Sequence, residues 1–140
     1  MDIMAYLMDL SAKGYFCSQI LIKLALEYDE KENADLVRAM SGLNGGLGFC
    51  QKTCGVLTAG ACVLGYFAGK GEDEELEKAN FNEMVAAYVA WFEELTAEYG
   101  SVQCADILCG DKSRQMTVCP NLVMAAYGKL FELLEEGGAL

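Results

Sequence analysis

Apolar residues recur at helical spacing along most of the chain. In Met1 to Lys13, the residues Ile3, Met4, Leu7, Met8 and Leu10 share one face at a 3.6-residue period, which predicts a helix that Gly14 stops. A second helix is expected from Ser18, its candidate N-cap, to about Asp29, with Ile20, Leu21, Leu24, Ala25 and Tyr28 facing the core. The polar run Asp29 to Asn33 reads as a turn, and Ala34 to Met40 as a short third helix. Four glycines in Gly42 to Gly48 predict a loop. From Phe49 or Cys50 a fourth helix, rich in small residues, is expected to reach Ala68 and stop at Gly69 and Gly71. The acidic run to Lys78 is solvated, and the next helix covers Phe81 to Tyr99, capped by Asn80 or Asn82. Cys104 to Cys109 reads as one helical turn, and Asp111 to Thr117 as loop. The last helix runs from Met116 to Glu136, with Pro120 in its first turn, and the tail GGAL frays.

No segment of useful length alternates with period two. The expected fold is therefore all-α: one cysteine-rich domain over 1–140, an irregular bundle of five to six helices around a central small-residue helix. The longest weakly polar run, Gly55 to Gly69, contains four glycines and is shorter than the roughly 20 residues of a spanning helix, so no membrane segment is expected.

Composition narrows the chemistry. The formal charge is −11, and no basic cluster interrupts it, which argues against nucleic acid and anionic membrane as partners. Histidine is absent, which excludes a histidine general base, His-ligated zinc and haem attachment of the C-x-x-C-H type. Thiols, carboxylates, hydroxyls and backbone remain. There are seven cysteines, an odd number, and the start MDIMAYLMDLSAK has neither a basic n-region nor a cleavage site. This pattern favours a cytoplasmic protein with reduced, ligating or redox-active thiols over structural disulfides.

On the expected fourth helix Cys50 and Cys54 lie one turn apart on one face. Cys62, inside ACVLGYF, reads as a small apolar packing residue. Cys104 and Cys109 flank a short turn. Cys17, Cys54 and Cys119 are placed at or near helix N-termini, where free N–H groups and the macrodipole favour a thiolate. Gly55, Ala59, Gly60 and Ala61 leave a bare face on the fourth helix that a neighbour can approach closely. Gly46 to Thr53 has the length of a phosphate-binding P-loop, but Gln51 replaces its essential glycine and no strand precedes it.

Several motifs taken together carry a resemblance: Phe16-Cys-Ser-Gln19, the lead-in Gly45-Gly-Leu-Gly48, Thr53-Cys-Gly-Val-Leu-Thr-Ala-Gly-Ala61, Cys104, and Val118-Cys-Pro120. From about Ala12 to Ala126 the chain resembles the C_GCAxxG_C_C family of redox-active proteins, a segment of which also occurs in split-Soret cytochromes. The resemblance implies that Cys17, Cys54, Cys104 and Cys119 are the signature thiols, and that Gly55 and the Ala59–Gly60 pair are the signature small residues. It implies a redox site but no haem, since the attachment motif is missing.

Three readings stay open. The four signature cysteines can ligate an iron–sulfur cluster, with zinc less favoured, in a protein for electron transfer or redox sensing that works with a redox protein partner. Thiol pairs, with Cys50 and Cys109 as additional candidates, can instead cycle through disulfides without metal. The third reading is a helical interaction protein with buried structural cysteines. None of these identifies a catalytic residue, and the high apolar fraction is compatible with a homodimer.

Overall fold

A computed structural model describes residues 2–140; Met1, which the periodicity includes in the first helix, lies outside them. The described residues form seven α-helices: α1 (Ile3–Ala12), α2 (Cys17–Tyr28), α3 (Ala34–Ala39), α4 (Gly55–Ala68), α5 (Phe81–Leu95), α6 (Cys104–Ile107) and α7 (Gln115–Glu136). Short 3-10 turns extend α3 to Leu43, follow α5 at Ala97–Tyr99 and precede α7 at Lys112–Arg114. The fold is all-α. The seventh helix is α6, only four residues long, where the sequence predicts a single helical turn.

Helix α4 is covered by α2, α5 and α7, and α1 lies against α7 and α2. The packing follows from composition. Gly60 exposes its backbone to the ring of Tyr88 on α5, and a Cβ there would overlap the ring. Tyr88 is fully buried, and its hydroxyl donates to the Val56 carbonyl at 2.7 Å, so the close approach also satisfies the phenol. Val56, Val63, Leu64, Phe92, Leu130 and Leu134 fill the remaining space with almost no exposed surface.

Two helix starts differ from the periodicity. The first is α2, which begins at Cys17 with Phe16 as N-cap, so Ser18 is not the cap. Ser18 is instead fully buried; its hydroxyl donates to the Met40 carbonyl at 3.0 Å and contacts the Asn44 amide oxygen. The Asn44 amide in turn donates to Gln19 at 3.0 Å. This buried polar contact ties the start of α2 to the glycine-rich segment.

The second is α4, which starts at Gly55, not at Phe49 or Cys50, with Cys54 as its N-cap. The reason is a run of left-handed backbone: Gly45, Gly46, Leu47, Gly48 and Phe49 have φ between 58° and 74°, and Gln51 has φ of 61°. Such residues cannot continue a right-handed helix. Glycine accepts this conformation freely, whereas Leu47 and Phe49 cost about 1–2 kcal/mol each. The turn is closed by long-reach bonds, Gly48 N–H to Gly42, Gln51 N–H to Gly45 and Lys52 N–H to Gly46, at 2.9–3.0 Å.

At its other end the chain beyond left-handed Gln51 runs alongside Val102 to Ala105. Cys54 N–H donates to Val102, Cys104 N–H to Lys52 and Ala105 N–H to Gln51. An antiparallel bridge pairs Thr53 with Gln103.

Candidate functional site

The site is built where these segments converge. Cys17 is the first residue of α2, Cys54 the N-cap of α4, and Cys104 the first residue of α6. The lacing of 51–54 to 102–105 places Cys104 beside Cys54. Cys119 comes from α7. It does not open that helix: α7 starts at Gln115, which puts Cys119 and Pro120 in the second turn rather than the first. A proline there lacks the N–H that would bond to the Met116 carbonyl in a regular helix.

Close backbone approach brings the thiols in. A Cβ at Gly55 would lie 2.8 Å from the Cys17 sulfur and 2.9 Å from the Leu43 carbonyl oxygen. A Cβ at Gly46 would lie 2.5 Å from Lys52 N and 3.0 Å from the Cys104 Cβ. Gly55 therefore sets how near Cys17 comes to α4, and Gly46 how near Cys104 comes to the glycine-rich turn. Replacing Gly55 by Ala is expected to displace the Cys17 sulfur and to cost about 1–3 kcal/mol by overpacking. Urea unfolding, together with the alkylation rate of Cys17, checks this; unchanged values for both would contradict it.

Electrostatics treats the four as one group. Burial pushes up the pKa of each of Cys17, Cys54, Cys104 and Cys119. Cys54, 5% exposed, is raised to about 12, first by burial and then by a Cys17 thiolate. Cys119 is raised to about 12 by burial and then by charge on all three of the others. Backbone N–H groups act in the opposite direction: Gly45 on Cys17, and Val56 and Leu57, in the first turn of α4, on Cys54. Lys112 favours the Cys104 thiolate.

The other three cysteines stand apart from this group. Cys50 and Cys109 are exposed on turns, Cys109 at a φ of 53°, and Cys50 does not share a helix with Cys54. Cys62 lies on α4 but is exposed, contrary to the buried packing role that its apolar neighbours suggest. All seven cysteines are free thiols.

The donor set has the chemistry of a thiolate metal site, with no histidine in the chain to compete. Among the described residues, however, no three His, Cys, Asp or Glu side chains are grouped as ligands for a metal ion. A single tetrahedral zinc would need its sulfurs about 3.8 Å apart, given Zn–S bonds of about 2.3 Å. The four thiols thus share one neighbourhood without forming a ready single-ion site.

Sequence reasoning missed the Gly45 N–H that faces Cys17 and the pairing that delivers Cys104. The alternation Gly-Gly-Leu-Gly was the available signal for the first, because glycine at successive positions permits left-handed backbone. No helix among the described residues is long and apolar enough to cross a membrane. No curated protein and no solved structure matches the chain. Residues 15–133 match the family model described as "Putative redox-active protein (C_GCAxxG_C_C)", a span that contains all four converging cysteines, and the chain belongs to that family.

Proposed function

We propose that the protein is a one-electron carrier or redox sensor of the cytoplasm whose working site is Cys17, Cys54, Cys104 and Cys119, and that these four thiols hold an iron–sulfur cluster. The observation that carries this reading is the convergence of four mutually coupled thiols from four separate segments. Burial and mutual repulsion oppose four thiolates here, and a cationic metal core reverses both terms. A polynuclear cluster, with inorganic sulfide between its irons, spaces its thiolates more widely than a single ion does. Such a cluster would supply one-electron exchange.

The chain's own part is to hold the ligands and exclude water. Gly45, Val56 and Leu57 point N–H groups toward two of the sulfurs, an arrangement that tunes potential in thiolate-ligated clusters. Disulfide cycling is less well supported. Exchange needs a thiolate at ambient pH, and all four thiols are shifted the other way.

Anaerobically purified protein is expected to be coloured and to contain iron and acid-labile sulfide. Cys54→Ala and Cys119→Ala should each lose most of both, while Cys62→Ala keeps them. Colourless, iron-free protein that also resists reconstitution would sink the cluster reading.

A further inference from the structure

Two backbone N–H groups face the Cys54 sulfur, and the peptide behind each of them carries a side-chain hydroxyl at its other end. The N–H groups are those of Val56 and Leu57, in the first turn of α4. The Leu57 nitrogen belongs to the same planar peptide as the Val56 carbonyl, which accepts the Tyr88 hydroxyl at 2.7 Å. The Val56 nitrogen shares its peptide with the Gly55 carbonyl, which the Thr58 hydroxyl reaches at 3.4 Å. The Tyr88 bond is short and buried, and the Thr58 bond is long and only partly buried, so the first is the stronger.

The Tyr88 bond depends on an opening in the helix. In a regular α-helix the Val56 carbonyl takes the Gly60 N–H, so the phenol is a second donor to one oxygen. It arrives over Gly60, where any Cβ would overlap the hydroxyl. Filling that space needs only the ring. The hydroxyl adds a buried polar group and directs it at a peptide that faces Cys54. Hydrogen bonds in series strengthen one another in a low-dielectric interior. A donor on the carbonyl oxygen draws electron density through the peptide and makes the N–H at its other end a stronger donor. The Leu57 N–H is shared between the Cys54 carbonyl, at 3.0 Å, and the Cys54 sulfur. The sulfur draws the larger benefit once it is negative, because charge-assisted bonds are the stronger ones.

We infer that Tyr88 is a positioning residue of the four-cysteine site: acting through the Val56–Leu57 peptide, its hydroxyl orients and strengthens an N–H that stabilises negative charge on the Cys54 sulfur. The inference rests on the reading of Cys54 as a working thiolate. It adds to the site a residue from α5, a helix that contributes no cysteine.

The test varies the donor strength at position 88 and keeps the ring. Tyr88→Phe removes the hydroxyl, and a ring-fluorinated tyrosine placed at position 88 alone makes it a stronger donor in nearly the same volume. Thr58→Val is the comparison for the longer bond. In the reduced, metal-free protein labelled with 15N, the Leu57 amide proton is expected to move upfield in Tyr88→Phe and downfield with the fluorinated ring. In the anaerobically purified holoprotein, the midpoint potential is read by a dye-mediated titration followed in the visible. It is expected to fall in Tyr88→Phe and to rise with the fluorinated ring, because a donor to a ligating thiolate favours the more negative, reduced state. Thr58→Val should move both quantities less. Iron and sulfide per chain should stay at the wild-type level throughout.

A potential that is unmoved, or that moves in one direction for both replacements, would show that the ring only packs and would overturn the inference. A Leu57 proton that ignores the order of donor strength would overturn it too. If no cluster can be loaded, the redox reading falls and the Leu57 proton alone decides: following the order keeps Tyr88 as a positioning residue for Cys54, and ignoring it removes that role.

Discussion

Gly60→Ala is expected to destabilise the protein by about 3 kcal/mol, against the ordinary trend for a helix interior. There, replacing Gly by Ala gains about 1 kcal/mol, because Ala loses less backbone entropy. At position 60 the new Cβ would overlap the Tyr88 ring and hydroxyl. The ring cannot step aside, since Tyr88 is fully buried and packs on Trp91 and Phe92. If it tilts, the bond to the Val56 carbonyl breaks and a buried phenol is left without a partner, a loss of about 1–3 kcal/mol. Overpacking adds about 1–3 kcal/mol, which outweighs the helix gain. Gly128→Ala in α7 is the matched control. Nothing lies within 4 Å of its added Cβ, so it should stabilise by up to about 1 kcal/mol. Urea denaturation of the two variants decides the matter, and a Gly60→Ala protein as stable as wild type would refute the packing account.

That contrast shows what the sequence makes legible. The apolar period locates α1, α2, α5 and α7 to within a few residues, because each buries one stripe against a common core. The small-residue character of α4 is also plain. Its partner is not, because no local signal says that Tyr88, some 28 residues later, fills the space over Gly60. The start of α4 is misplaced for a related reason. Phe49 and Gln51 are ordinary helix residues by propensity, and only the long-reach bonds to Gly42, Gly45 and Gly46 hold the left-handed turn that excludes them. Cys119 is misplaced because Pro120 looks like a first-turn proline, whereas α7 extends through Gln115 ahead of it. Which thiols converge is a tertiary fact. Spacing pairs Cys50 with Cys54, yet the partners that act on Cys54 in the fold are Cys17 and Cys104, from α2 and α6.

The structural cost of the site is concentrated in the Gly45–Lys52 turn. Left-handed Leu47 and Phe49 oppose folding, and the buried Ser18–Asn44–Gln19 contacts anchor the turn against α2. In return the turn supplies the Gly45 N–H to Cys17 and carries the chain into the stretch that pairs with Cys104. A uniformly helical 49–68 segment would have neither, and it would move Cys54 from a helix cap to a helix interior, where its backbone neighbours are already bonded.

In the reduced, metal-free protein, stability should fall steeply above pH 9, and Cys54 should account for much of the slope. The sign follows from proton linkage. The Cys54 thiol has a pKa of about 12 in the folded state, against an ordinary value of 9.0. Below pH 9 both states keep the proton and stability is unaffected. As pH rises from 9 to 12 the unfolded thiol ionises first, the unfolded state gains, and stability is lost until the folded thiol ionises as well. At about 1.4 kcal/mol per unit, Cys54 contributes a loss on the order of 3 kcal/mol by pH 11. Cys54→Ala removes this term, and it also relieves the repulsion that raises Cys119. The variant should therefore be less stable than wild type at pH 7, by about 1 kcal/mol for lost buried contacts, and more stable at pH 11. Tyr88 belongs to the same term, since burial and then the Cys54 thiolate push its phenol up, whereas groups that Cys54 does not touch contribute to both proteins and cancel in the difference. Urea melts of the two proteins between pH 6 and 11, under argon with excess reductant and chelator, measure that difference. Parallel curves would mean that Cys54 ionises as an ordinary thiol and that burial at the head of α4 does not oppose its charge.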